Sequence, residues 1–317
     1  GIAQTDLKEL LDLFEYASTF GSLIQIPEAF AKKLPDLETK LNEALESGDI
    51  FAQQSAQELL PFVQQANLLA KQYDAVIANP PYMGGKGMNT ALKDFAKKQF
   101  PDSKSDMFAM FIERCQELSK VSGETAFVTP YVWMFISSFE QMRTKLVIDA
   151  TIQSLIQLEY NAFEPACVPV CAFIIGKVHI PNFVGSYIKL SEFKGHENQA
   201  PKTLEAINNH DCGWFFNAKP DDFKKIPGSP VAYWVSPHIV DLFVSCPQLN
   251  EVSDSKVGFM TGDNDKLLRL FWEVNYLKIG FKYESFNVKR WVPHNKGGGY
   301  RKWYGNQEYL VDWTNYA

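Results

Sequence analysis

Residues 74–82, Asp-Ala-Val-Ile-Ala-Asn-Pro-Pro-Tyr, concentrate the side chains best suited to chemistry. Residues 74–78 are apolar apart from Asp74, with β-branched Val76 and Ile77, and are expected to form a short buried strand. Asn79-Pro80-Pro81-Tyr82 must end it. Neither proline can donate a ladder hydrogen bond, and the residue before a proline is pushed out of the helical region. A rigid, extended tetrapeptide then stands at the carboxyl end of a parallel-type strand, where open α/β sheets place their ligands. Such a lip can hold a planar amine. The Asn79 side-chain oxygen and the Pro80 carbonyl can each accept one N–H, which leaves the nitrogen lone pair directed elsewhere. The prolines keep the carbonyl in place, so little reorganisation is needed at the moment of reaction. Tyr82 offers a ring face on which an unstacked base could lie. The plain alternative is an ordinary Asn-Pro turn after a strand. Met83-Gly84-Gly85-Lys86-Gly87 follows as a flexible polar loop of the kind that closes over a substrate.

Positioning this lip takes a sheet. Residues 107–120 read as an amphipathic helix with Phe108, Phe111, Ile112, Cys115 and Leu118 inward, capped by residues 101–106 and ended by Gly123. Residues 125–129 are the next strand, so strand, helix and strand form a βαβ unit with a right-handed crossover. Tyr131 and Trp133 then reach the same carboxyl edge as Tyr82, where they either wall a base pocket or cap the core. Residues 139–146 form a helix, and 152–158 and 169–178 are two more strands. Before the lip, apolar stripes such as Leu7, Leu10, Leu11 and Phe14, or Leu37, Leu41 and Leu45, make residues 2–72 helical. The expected organisation is a helical segment 1–72, the catalytic part of an α/β domain 73–180, and a mixed α/β region 181–317 with shorter apolar segments and frequent turns.

The chain has 317 residues, enough for two domains, and 46% hydrophobic with 21% charged residues is ordinary for a globular protein. No apolar run approaches the ~20 residues of a membrane helix, and no signal peptide opens the chain, so the cytoplasm is the expected compartment. The five cysteines, Cys115, Cys167, Cys171, Cys212 and Cys246, include no CxxC pair and read as reduced thiols, with no metal site expected. Net charge is −6, which disfavours a polyanion partner only weakly, because a local patch decides. From residue 280 the balance reverses. Lys282, Lys289, Arg290, Lys296, Arg301 and Lys302 meet only Glu284, Glu308 and Asp312. Within Trp-Val-Pro-His-Asn-Lys-Gly-Gly-Gly-Tyr-Arg-Lys-Trp-Tyr-Gly-Asn, residues 291–306, a triglycine lies among cations and aromatics. It fits a DNA-contacting loop using Lys296, Arg301, Lys302 and Trp303, and equally an aromatic hairpin with a solvated basic face.

These two runs, residues 79–89 (NPPYMGGKGMN) and 291–306 (WVPHNKGGGYRKWYGN), resemble the large adenine-specific DNA methyltransferases of BREX (PglX-type) phage-defence systems, relatives of the type II restriction–modification methyltransferases. The likeness covers nearly the whole chain. It implies a partial Rossmann-like class I methyltransferase sheet, closed antiparallel by the two adjacent strands 152–158 and 169–178, followed by the start of a target-recognition region. It implies transfer of a methyl group from S-adenosylmethionine to adenine N6 at a defined site in double-stranded DNA, alongside other defence-system proteins. Asn79, Pro80, Pro81 and Tyr82 match the catalytic motif residue by residue. Such an enzyme also needs a glycine-rich turn after its first strand to hold the cofactor. Phe20-Gly21-Ser22 lies between helical stripes, and Gly48-Asp49-Ile50-Phe51 lies too far before the lip to be an acidic cofactor contact. The chain also opens on Gly1. A fragment is expected, inactive alone, with its cofactor-binding half upstream. The competing readings are a DNA-recognition or assembly module without turnover, and the same chemistry on RNA or a protein amide.

Overall fold

The computed structural model describes residues 2–163, 168–254, 260–282 and 288–314. They form two compact units, Gly1–Pro247 and Gln248–Ala317. In the first unit, helices α1 (Gln4–Phe14), α2 (Ala17–Phe20), α3 (Glu28–Ala31), α4 (Leu34–Glu46) and α5 (Ile50–Ala70) precede the sheet. Their stripes meet as expected: Leu10, Phe14, Leu37 and Leu41 are buried together with Val63 and Ala66. Asp49, too far before the lip for a cofactor contact, caps α5 by accepting from the amides of Phe51 and Ala52.

Six strands make one mixed sheet: β1 (Tyr73–Ala78), β2 (Ser119–Pro130), β3 (Thr151–Gln157), β4 (Val170–Gly176), β5 (Gly185–Lys189) and β6 (Phe215–Ala218), in the order β1-β2-β4-β3-β5-β6. β1 runs parallel to β2, and β4 lies antiparallel to both β2 and β3. β5 is parallel to β3, and β6 is antiparallel to β5. The carboxyl ends of β1, β2, β3 and β5 therefore share one edge. The sheet continues past residue 180, where the change of sequence texture had suggested a boundary, because β5 and β6 are short strands among turns.

Helices α6 (Thr90–Gln99), α7 (Met107–Leu118) and α8 (Glu140–Asp149) complete the part that carries the lip. Phe108, Ile112 and Cys115 of α7, Met142 and Leu146 of α8, and Phe127, Leu155 and Phe173 of the sheet share one core. Burial pushes the Cys115 thiol up to about 11 and the Cys171 thiol up to about 12, as for thiols that act as small apolar groups. Cys167 lies outside the described residues. Arg114 of α7 is buried and donates to the carbonyls of Ser22, Ile24 and Leu69, which ties the amino-terminal helices to the sheet.

Two sequence expectations are corrected. β1 is not buried: it lies at the sheet edge, with Val76 and Ala78 against the core and Ile77 81% exposed on the other face. Gly123 does not end α7, which stops at Leu118. It lies inside β2 where that strand's pairing with β1 shifts register. A Cβ built there would sit 2.9 Å from the carbonyl oxygens of both Tyr73 and Asp74. Helix-stop chemistry and close backbone approach both favour glycine, and only the non-local pairing distinguishes them. Gly123→Val is therefore expected to push β1 away from β2 and cost about 1–3 kcal/mol, the usual range for overpacking. Thermal unfolding checks this, and an unchanged Tm would contradict the close approach.

In the second unit, β7 (Leu268–Leu270), β8 (Trp291–His294) and β9 (Tyr309–Asp312) form a small antiparallel sheet ordered β7-β9-β8. Leu268, Val292 and Val311 fill its core. Among the described residues, no helix is long and apolar enough to cross a membrane.

Candidate active site

β1 ends at Ala78, and the prolines project the tetrapeptide from the sheet's carboxyl edge as expected. Pro80 is buried and anchors the lip, while Asn79, Pro81 and Tyr82 are exposed. Two of the three groups wanted for holding an amine, the Asn79 side chain and the Tyr82 ring, thus stand open to solvent. The third, the Pro80 carbonyl, belongs to the seated residue.

The seat is built by α7 and β2. The Tyr82 ring meets Phe108 of α7 edge-on, at 6.4 Å between centroids and 88° between planes. Its hydroxyl lies 3.1 Å from Asn79 Oδ1 and 3.2 Å from the carbonyl oxygen of Val128 in β2. Burial raises the phenol above its ordinary value, so at neutral pH it is protonated and can donate.

The glycine loop is less free than its composition suggests. Asp106 caps α7 through the Phe108 amide and also accepts from the Met83 amide at 2.9 Å. The Met107 amide donates back to Met83, and the Gly85 amide to Ser105. Residues 83–85 are thereby pinned to the start of α7, because a carboxylate accepting several N–H groups is a strong local anchor. Burial raises the Asp106 carboxyl while these amides lower it. Asp106 was readable as a helix cap, but its second task needed the fold.

Tyr131 and Trp133 follow β2 in a 3-10 turn at the same edge. Tyr131 is half-buried against Phe135. Trp133 takes the alternative role of capping the core: it is fully buried, 4.9 Å from Phe173 between ring centroids, and cannot wall an open pocket. Arg143 of α8 fixes this turn by donating to the carbonyls of Trp133 and Ile136.

Lys296, Arg301, Lys302 and Trp303 lie in the loop joining β8 to β9 of the second unit. Trp303 is 88% exposed, Lys302 lies over its ring at 5.6 Å, and Lys296 lies over Tyr309 at 5.0 Å. The loop is shaped from within: Asn306, at a positive φ of 57°, donates to the Gly299 carbonyl. A hairpin loop with outward cations and rings is what both sequence readings share.

The residues that had come nearest to a cofactor cradle do not form one. Gly21, φ 52°, closes short helix α2 without a preceding strand, and Gly48-Asp49 leads into the α5 cap.

Comparison with known proteins finds relatives of this chain. Residues 8–163 match the Eco57I restriction-modification methylase family. The adenine-specific methyltransferase BrxX of Escherichia coli O9:H4 (strain HS) is 40% identical over 98% of this chain and 25% of its own length. The adenine-specific methyltransferase PglX of Lacticaseibacillus casei (strain Zhang) is 34% identical over 98% of this chain and 27% of its own length. The chain thus spans about a quarter of the length of the curated relatives it matches. Among solved structures, the methyltransferase subunit of a type I restriction-modification system from Streptococcus thermophilus aligns with 50% of this chain and 37% of its own, at 21% identity and a TM-score of 0.38.

Proposed function

The chain is a homologue of the PglX-type adenine-specific methyltransferases, and from that premise we propose that it carries the amine-holding part of a DNA adenine-N6 methyltransferase of a restriction–modification or phage-defence system. S-adenosylmethionine supplies the methyl group. Among the described residues, the glycines before β1 do not build a cradle for it. The observation that carries the reading is the lip itself. A buried Pro80 seats an exposed Asn79 and an exposed Tyr82 at the carboxyl edge of a parallel strand.

On this reading Asn79 Oδ1 and the Pro80 carbonyl each accept one N–H of the adenine amine. That contact pulls the ring-delocalised lone pair toward the open direction, where it can take the methyl group. The Tyr82 ring stacks on the extruded base, and half-buried Tyr131 stands beside it. Double-stranded DNA is the substrate, and the target-recognition part begins after the six-stranded sheet, later than residue 181. Within it, the β8–β9 loop contacts phosphates through Lys296, Arg301 and Lys302 and stacks through Trp303.

The test is methyl transfer by the full-length protein, given methyl-labelled S-adenosylmethionine and genomic DNA from an unmethylated host. Digestion to nucleosides is expected to place the label in N6-methyldeoxyadenosine. Label in N4-methyldeoxycytidine, or none in DNA, would overturn the proposal. Replacing both Arg301 and Lys302 by alanine in the same protein is expected to weaken DNA binding. It should also reduce the slope of log affinity against log salt by about 2, near 0.9 per lost phosphate contact. Unchanged binding and slope would remove the loop from the interface.

A further inference from the structure

The Tyr82 hydroxyl sits between two oxygens, Asn79 Oδ1 at 3.1 Å and the Val128 carbonyl at 3.2 Å. Both neighbours are acceptors in this arrangement, and a protonated phenol has one hydrogen to give. One of the two contacts is therefore always without a proton. The Val128 carbonyl belongs to β2, paired with β4 at Val128↔Ala172, and cannot turn away. The Tyr82 ring is held edge-on by Phe108, itself 1% exposed, so the hydroxyl stays where it is. The Asn79 side chain is exposed, and its contact with Tyr82 is not enclosed by the core. Turning its amide by half a revolution exchanges Oδ1 for Nδ2 at almost no cost in shape. Tyr82 then donates to Val128 and accepts from Asn79 Nδ2, and both contacts of the Tyr82 hydroxyl carry a hydrogen. In the same motion Oδ1 turns away from Tyr82, toward the open side of the lip.

We propose that the Tyr82 hydroxyl, anchored on the Val128 carbonyl, is the positioning group that selects the Asn79 amide orientation in which Oδ1 faces the substrate amine. The proposal rests on the adenine methyltransferase reading above and adds to it a task for Tyr82 separate from ring stacking. The structure shows Oδ1 toward Tyr82; in the selected orientation Nδ2 takes that place, Oδ1 already faces outward when the amine enters, and the Tyr82 hydroxyl donates to the Val128 carbonyl alone. An orientation selected before reaction spares the reorganisation that would otherwise add to the barrier.

Tyr82→Phe tests this, because it keeps the ring on its Phe108 seat and deletes only the hydroxyl. In the full-length protein, with methyl-labelled S-adenosylmethionine and unmethylated genomic DNA, kcat is expected to fall about 10- to 100-fold, as for a misplaced catalytic group. KM for DNA should stay within about twofold, since stacking is untouched. The decisive readout is the pair of changes together. If Tyr82→Phe acts through Asn79, it should have no further effect on kcat in an Asn79→Ala background. A wild-type kcat in Tyr82→Phe, a raised KM with unchanged kcat, or an equal further loss in the Asn79→Ala background would each overturn the positioning role. Full activity of Asn79→Ala alone would overturn the functional reading instead, so the two failures are distinct.

Discussion

Asn79→Ala in the full-length protein is expected to lower kcat for DNA methylation about 10²- to 10³-fold, the usual cost of deleting one preorganised polar contact at a reacting centre. Two features of the structure set that expectation. Asn79 is exposed at the tip of a proline-fixed lip, so its side chain is not part of the core. Its intramolecular contact, the Tyr82 hydroxyl, is also partly exposed, so deletion leaves no buried group unpaired. Stability should therefore change by less than about 0.5 kcal/mol, as at ordinary surface positions. DNA affinity should also hold, because phosphate contacts elsewhere supply most of it. Steady-state kinetics with DNA and thermal unfolding of the same preparation check all three. A kcat within tenfold of wild type would remove Asn79 from the chemistry, and a large fall in Tm would mean that the lip is structural.

Arg143→Met is the mirror case, expected to be severe for stability and indirect for activity. Arg143 is 1% exposed and its guanidinium serves four carbonyls, those of Trp133, Ile136, Gly228 and Ser229. Burial lowers its pKa, yet arginine stays charged throughout the accessible range. These bonds staple the turn after β2 to residues 228 and 229, both at positive φ of 79° and 47°. Methionine fills much of the volume but leaves buried acceptors without donors, at about 1–3 kcal/mol for each that water cannot reach. With partial hydration the total should be about 3–5 kcal/mol, among the larger single-residue losses. Arg143→Lys should recover part of this, since one ammonium cannot reach four carbonyls on two segments. Denaturant unfolding of all three proteins gives the ranking, and a methionine variant as stable as wild type would contradict the staple.

What the sequence disclosed and what it hid divide along a physical line. Local rules carried the lip, because proline geometry at residues 80 and 81 does not depend on the rest of the chain. They also carried the helices before it and the Asp106 cap. The strands β3 and β4 were legible as two apolar runs in succession, and their antiparallel pairing followed from the family resemblance and not from the runs. Non-local facts were not legible. Gly123 has the residue type of a helix stop, but its reason is the carbonyls of β1, some 50 residues away in the chain. Ile77 has the apolarity of a buried strand but lies on an uncovered face. Trp133 follows the carboxyl end of β2 by three residues, and a 3-10 turn sends it into the core. β5 and β6 are too short to show a period against the turns around them. The Val128 carbonyl, central to the Tyr82 argument, is backbone and leaves no trace in residue type at all.

The account stands or falls on whether this lip holds adenine for methylation. The most direct measurement is the methylome of a host carrying the intact gene, the same gene with Asn79→Ala, or no copy. The account predicts N6-methyladenine at one DNA sequence with the intact gene, and its loss both with the Asn79→Ala allele and without the gene. The same methylated sequence persisting with Asn79→Ala, or no sequence that depends on the gene, would contradict it.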